Sequence, residues 1–300
     1  MNYNRHIWIV TSTFDRFDSL ATYFELLSIQ TESNFTLVLV DHGNKRVEDY
    51  IQIPKFVKII RSSPNKWWTG AMNDGIRYAI TYSKSDKDVI ILQCDDSLFY
   101  DNFISNLVNT IEKEDALVGA IALNEKNDKI LHAQLKFQPL TGKYSYPLQG
   151  KELNTFGLKP KKSDVLKGRG VGCSINNLKK IGLLEEKLPH YKADHEWAHR
   201  ANKKNINVLV APNVIVKANL KTQLKIEKSK LFASLFRYIF HQRSTANIRD
   251  IIVYYFLCFP KYKAIYYSIV NATLIYAYVF LLTIKYSIES LRQNTQPNNE

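Results

Sequence analysis

In the first 123 residues, short apolar runs alternate with stretches of helical spacing, and this alternation constrains the fold more than any other feature. Residues 6–12 (HIWIVTS), 35–40 (FTLVLV), 56–60 (FVKII), 88–92 (DVIIL) and 117–123 (LVGAIAL) read as five strands. Between them, residues 18–30 carry Leu20, Tyr23, Phe24 and Leu27 at helical spacing, and residues 69–83 and 102–111 also read as helices. Continuously apolar strands separated by helices are covered on both faces, so the pattern predicts an α/β domain with a mainly parallel sheet flanked by helices. Such a sheet binds ligands beyond the carboxyl ends of its strands.

Past residue 123 the pattern changes. Residues 129–148 alternate around Leu140-Thr141-Gly142-Lys143, which predicts a β-hairpin. Residues 176–183 and 194–203 read as helices and residues 206–211 as a further strand. The polar end, residues 294–300, is expected to be disordered. The three cysteines, Cys94, Cys173 and Cys258, are far apart and odd in number, which fits a reducing compartment and neither a disulfide framework nor a zinc site. The apolar run near the N-terminus is too short for a signal peptide.

Charge is distributed unevenly. The chain carries a net +13, and residues 216–300 hold 12 Lys/Arg against 4 Asp/Glu. A basic segment implies an anionic partner: nucleic acid, acidic lipid or a phosphorylated substrate. Residues 264–284 contain no charge and lie between Lys261/Lys263 and Lys285. That is long enough to cross a bilayer, yet Ser268, Asn271, two threonines and several tyrosines interrupt it. A span, an interfacial helix and a buried helix all stay open. Among nucleic-acid binders no known module matches, and the basic excess sits beside the apolar run, so a nucleic-acid partner is not expected.

Several residues have the chemistry of a site. Asp95-Asp96 follows the fourth strand, where two adjacent carboxylates call for a compensating cation such as Mg²⁺ or Mn²⁺ completed by substrate phosphates. Asp96-Ser97 is equally able to cap a following helix. Asp41 ends a strand in Asp41-His42-Gly43-Asn44, either as a turn or as an acceptor for a nucleotide's base or ribose. Residues 65–75 (NKWWTGAMNDG) open a helix with Thr69, Gly70 and Ala71, small enough for a ligand to approach the backbone and its phosphates to meet the helix N-terminus, or for tight packing alone. Asp194-His195-Glu196 opens another helix as a cap or as a source of a general base. Lys167-Gly168-Arg169-Gly170-Val171-Gly172 is no P-loop or dinucleotide fingerprint, and reads as a flexible loop beside a diphosphate or as a bend between strands.

The order of these elements resembles the family 2 glycosyltransferases. Thr11-Ser12-Thr13-Phe14-Asp15-Arg16 resembles their T-x-N-R start, Val40-Asp41-His42-Gly43-Asn44 their V-D-x-G-S turn, and residues 65–75 their N-x-G…N-x-G element. Cys94-Asp95-Asp96 falls where their D-x-D falls. Gly168-Arg169-Gly170, Ile181-Gly182-Leu183, and Asp194-His195-Glu196 with Arg200-Ala201 resemble their acceptor-side elements. The likeness covers about residues 5–215, with rhamnosyltransferase-like members the nearest subgroup. It implies a GT-A catalytic domain over residues 1–215, with a donor half to about 123 and an acceptor half from 124, followed by a helical extension over residues 216–300 that is open to membrane association.

By position, the resemblance gives a nucleotide-diphosphate sugar donor, a glycan or lipid-linked acceptor, and inversion at the anomeric carbon. Thr11, Thr13, Arg16, Asp41, Asn65, Trp68, Gly70, Asn73 and Asp95 would line the donor site, and Asp96 would hold Mg²⁺ or Mn²⁺. Asp194 would be the base, with Glu196 as its substitute because Ala193 stands where many members carry another acid. Cys94 departs from the first acid of D-x-D, and Asn44 from the usual Ser. The expected location is the cytoplasmic face of a membrane. A nucleotidyltransferase is the alternative from another class, but no glycine-rich loop follows the first strand; a catalytically inactive member is a further one.

Overall fold

The computed structural model describes residues 5–218 and 231–294, so the expected disordered end from residue 295 onward lies outside the described residues. The chain forms two compact units. One comprises Met1–Gln138 with Lys143–Lys221; the other comprises Pro139–Gly142 with Thr222–Glu300.

The first unit runs β1 (Ile7–Thr13), α1 (Phe17–Ser28), β2 (Phe35–Asp41), β3 (Val57–Arg61), α2 (Trp67–Tyr82), β4 (Val89–Leu92), β5 (Leu98–Phe99), α3 (Phe103–Glu114) and β6 (Leu117–Asn124). It continues through β7 (Ile130–His132), β8 (Lys136–Phe137), β9 (Tyr144–Ser145), β10 (Lys161–Lys162), β11 (Val171–Ser174), α4 (Ile175–Ile181), α5 (Ala193–Lys203) and β12 (Val208–Ala218). The main sheet has the order β10-β12-β6-β11-β4-β1-β2-β3. β3, β2, β1 and β4 are parallel neighbours, as are β6 and β12. β1, β2 and β4 are buried almost throughout, which is why they read as unbroken apolar runs. On one face, Leu20, Tyr23, Phe24 and Leu27 of α1 and Phe103, Ile104 and Leu107 of α3 join Ile9, Leu37 and Val118 in a single core.

Three features depart from the sequence expectation. β11 lies antiparallel between β4 and β6, where the sequence suggested only a glycine-rich loop or bend. Its fit needs Gly172, because a Cβ there would lie 2.6 Å from the Ile90 carbonyl oxygen. The expected hairpin over residues 129–148 is smaller: β7 pairs with β6, and only β8 and β9 pair with each other. β12 is longer than residues 206–211 and crosses position 216, so the expected division at 215/216 falls inside a strand. Its register shifts between Val210 and Ile215, around Pro212, which has no N–H to give to the ladder.

The second unit contains α6 (Leu231–Phe240), α7 (Ile248–Cys258) and α8 (Lys261–Asn294). The Asn247 side chain caps α7 by accepting from the Asp250 N–H at 3.1 Å. The helices clasp the turn at 139–142. Tyr255 Oη donates to Gly142 O at 3.0 Å, Tyr266 Oη to Leu140 O at 2.9 Å and Asn271 Nδ2 to Thr141 O at 2.7 Å. Gly142 has φ +71, and the Tyr267 ring lies 2.7 Å from where a Cβ would stand, so both conformation and space call for glycine.

Candidate active site

β4 ends at Leu92, and the chain beyond it turns Asp95 and Asp96 into a cluster with two arginines. Arg16, just after β1, pairs with Asp95 and reaches Asp96 Oδ2 at 3.1 Å. Arg169 grips Asp96 with two nitrogens, Nη1 to Oδ1 at 2.5 Å and Nη2 to Oδ2 at 3.3 Å. Burial opposes the charge on Asp96, but Arg169 and Arg16 outweigh it and hold its carboxyl below the usual range. Burial dominates at Asp95 and pushes its carboxyl up to about 6 despite Arg16. Asp96-Ser97 caps no helix: α3 begins at Phe103, and these residues lead into β5 instead.

Hard oxygen donors at this position fit Mg²⁺ or Mn²⁺. Asp95 Oδ2 and Thr13 Oγ1 are both buried without a hydrogen-bond partner, the state expected of oxygens that await a ligand. The Thr13 hydroxyl is near enough to favour the charged form of Asp95, though it falls short of a well-aligned hydrogen bond. The Cys94 Sγ is turned to Gly168 O at 3.8 Å, and burial raises its thiol to about 12. Among the described residues, no three His, Cys, Asp or Glu side chains form a ready-made cage. A metal here would take one or two carboxylates from the protein and the remainder from phosphate and water, the usual arrangement for Mg²⁺.

The Gly168-Arg169 segment links this cluster to α5. The Gly168 N–H donates to Asp194 Oδ2 at 2.9 Å, and Asp194 Oδ1 accepts from the His195 N–H at 2.8 Å. Asp194 therefore stands in the first turn of α5, not at its cap, which is Lys192 with φ +72. The Trp68 ring covers Gly168, 3.1 Å from the place of a Cβ. Glu196, the substitute base, is engaged elsewhere. Arg200 binds both its oxygens, with Nε–Oε1 at 3.0 Å, and also donates to Ile181 O and Leu183 O.

Other sequence-predicted residues lie in separate networks. The Thr11 hydroxyl is fully buried and shares a hydrogen bond with Tyr23 Oη at 2.9 Å. The Asp41 carboxylate, also fully buried, accepts from the Gly43 and Val47 N–H groups at 3.1 and 3.0 Å and pairs with Arg61. It shapes the turn after β2. Asn73 faces residues 184–186: its Nδ2 donates to Leu184 O at 3.0 Å and Glu186 Oε1 at 2.9 Å, and its Oδ1 accepts from the Leu184 N–H. Gly70 is buried in the first turn of α2 against the stem of Lys66, and Asn65 is exposed just before that helix. The structure thus brings Thr13, Arg16, Asp95 and Asp96 together and joins them through Gly168-Arg169 to Trp68 and Asp194. It leaves Thr11, Asp41 and Asn73 bonded within the scaffold.

Sequence reasoning missed Arg169 as a partner of Asp96, Arg61 as the counter-ion of Asp41, and Asp15. The Asp15 carboxylate, from a residue with φ +51, accepts from the Asn44 and Lys45 N–H groups at 3.3 and 3.0 Å and so ties the turn after β1 to the turn after β2. The one signal for Arg169 was its position between two glycines in a basic run.

No curated protein matches the chain in sequence. Among solved structures, its fold resembles the crystal structure of GalNAc-T7 with UDP, GalNAc and Mn²⁺, with a TM-score of 0.58 and 15% identity over 71% of this chain. The chain spans 43% of that protein's length, and at this identity the likeness speaks for the fold alone, a GT-A fold with its mostly parallel sheet flanked by helices. Residues 8–171, from β1 to the start of β11 and thus including both carboxylates and both arginines of the cluster, match the sequence profile of glycosyl transferase family 2, and the chain belongs to that family.

Proposed function

We propose that this glycosyltransferase moves a sugar from a nucleoside-diphosphate donor to a hydroxyl of its acceptor, with inversion at the anomeric carbon. The observation that carries the reading is the Gly168-Arg169 segment, which bonds Asp96 on one side and Asp194 on the other. An inverting transfer needs two poles: one that stabilises the departing diphosphate and one that takes the acceptor's proton. Asp95, Asp96, Arg16 and Arg169 form the first and Asp194 the second. The acceptor oxygen bonds to the anomeric carbon as the carbon–oxygen bond to the diphosphate breaks. The acceptor's proton passes to Asp194. Asp96 and Asp95 would hold a Mg²⁺ or Mn²⁺, which would supply Lewis-acid neutralisation of the diphosphate. Thr13, Trp68, Gly70 and Asn65 would border the donor; Thr11, Asp41 and Asn73 would support it from behind. UDP and Mn²⁺ in the GalNAc-T7 crystal make them sensible first probes for this chain.

The acceptor reading rests on the second unit. Its apolar helix and the basic excess around it suit a membrane surface, and with it a lipid-linked or cell-envelope glycan acceptor, built by hexosyl or rhamnosyl transfer at the cytoplasmic face. The test combines binding and turnover. With Mn²⁺ present, calorimetry should show UDP or dTDP binding to the wild type and little to Asp96→Ala. Asp194→Asn should keep nucleotide binding while donor turnover falls by about 10²-fold or more, the usual scale for removing a general base. Absence of nucleotide binding to the wild type, or full turnover in Asp194→Asn, would overturn the assignment.

A further inference from the structure

The carboxylate pair is already neutralised by the protein itself. Asp95 and Asp96 bring two negative charges and Arg16 and Arg169 two positive ones, all joined by direct contacts. Arg169 holds both oxygens of Asp96, and Arg16 bridges the two acids. A divalent ion approaching these oxygens meets two fixed cations at contact distance. Yet Asp95 Oδ2 is buried and lacks a partner, so the arginines do not complete the site. The Arg16 side chain is 40% exposed and that of Arg169 22%, so neither is sealed from solvent, and Arg16 is the more open of the two. Guanidinium presents a flat fork that suits phosphate oxygens as well as carboxylate oxygens.

We infer that Arg16 and Arg169 are stand-in cations for the Asp95–Asp96 pair, and that they pass to the donor's diphosphate when it binds, releasing the carboxylates for a divalent ion. The inference rests on the nucleotide-sugar reading for the identity of the anion. Its consequence is a linkage: diphosphate and metal favour each other because each removes a competitor of the other. The protein without donor holds metal poorly, and the charge of the site stays near neutral at both stages. Arg16 and Arg169 then act twice, first as counter-ions to the acids and afterwards as ligands of the leaving group.

The test reads two bindings that should move in opposite directions. Mn²⁺ alone is titrated into donor-free protein, and inorganic pyrophosphate is titrated into metal-free protein, for the wild type and for Arg169→Gln. Loss of the guanidinium should tighten Mn²⁺ at least tenfold and weaken pyrophosphate at least tenfold. Arg16→Gln serves as the second variant should Arg169→Gln not fold, as judged by its thermal transition. A pure brace would give no such opposite shift. Unchanged or weaker Mn²⁺ binding in the folded variants overturns the inference, as does unchanged pyrophosphate binding. A separate titration of UDP with Mn²⁺ into the wild type judges the donor reading: binding there without the opposite shifts sinks the exchange alone.

Discussion

At the scale of single residues, Trp67 holds a strained backbone. Its backbone has φ +54 and ψ −166, a region open in practice only to glycine. The indole is partly buried and meets His190 edge-on with ring centres 6.2 Å apart. Replacing Trp67 by Ala removes the ring but keeps the clash of Cβ with the backbone; Gly removes both. We expect Trp67→Gly to be more stable than Trp67→Ala by about 1–3 kcal/mol, the reverse of the usual order, in which Ala leads Gly by about 1 kcal/mol within a helix. Urea denaturation of the two variants decides this, and equal stabilities or an advantage for Ala would refute the strain. Residue chemistry was legible in the sequence where a strand end announced it: Asp95 and Asp96 were placed by the apolar run before them. Partners were not legible. Arg169 lies 73 positions from Asp96 and Arg61 20 positions from Asp41, and no local pattern joins residues so far apart. The Thr11–Tyr23 bond, 12 positions apart, was hidden likewise, whereas Glu196 and Arg200 stand four apart on α5, a helical spacing that could have announced their pairing.

At the scale of elements, the parallel strands and their helices were readable because each buries a continuous apolar face. β11 was not: β4 is equally short but continuously apolar, whereas β11 reads Val-Gly-Cys-Ser, a sequence with neither an apolar run nor a period. The joints between elements were hidden too, and Asn73 shows why they matter. It sits in the middle of α2, 1% exposed, and its amide makes three hydrogen bonds to residues 184–186. It thereby fastens α2 to the segment that precedes α5 and Asp194. Thr69 adds a second fastening through its hydroxyl to Leu188 O at 2.6 Å. Removing the amide in Asn73→Ala leaves the Leu184 N–H and carbonyl unsatisfied, at a cost of about 2–4 kcal/mol if water cannot reach them. Thermal or urea unfolding should show that loss, while nucleotide affinity, measured well below the transition, stays unchanged. A collapse of nucleotide binding in a variant of full stability would instead return Asn73 to the donor site.

At the scale of the molecule, the open question from the sequence was whether the apolar tail spans a membrane. The stretch Lys261–Tyr286 of α8 is long and apolar enough to do so, with a mean hydropathy of 1.7 over its most apolar 18 residues. Its first half has another engagement. Ala264, Tyr267, Ser268 and Asn271 are buried, and Asn271 and Tyr266 hold the carbonyls of the 139–142 turn. To place these residues in hydrocarbon would carry that polar turn with them, which the bilayer core disfavours. The remainder, residues 272–286, is about 22 Å long at 1.5 Å per residue, short of the roughly 30 Å of a bilayer core. Exposed apolar side chains are also spread over the three described helices of this unit: Phe236 and Phe240 on α6, Ile252 and Phe256 on α7, and Ile265, Ile269 and Phe280 on α8. A lone span needs none on its neighbours, whereas a bundle lying in the interface does. With 12 basic against 4 acidic residues over 216–300, the preferred surface is anionic. We therefore expect the full chain to sediment with phosphatidylglycerol-containing vesicles, to release as salt screens the basic residues, and to be extracted by alkaline carbonate. Retention after carbonate would mean that α8 crosses the bilayer after all, and equal binding to neutral and anionic vesicles would deny the basic residues their part.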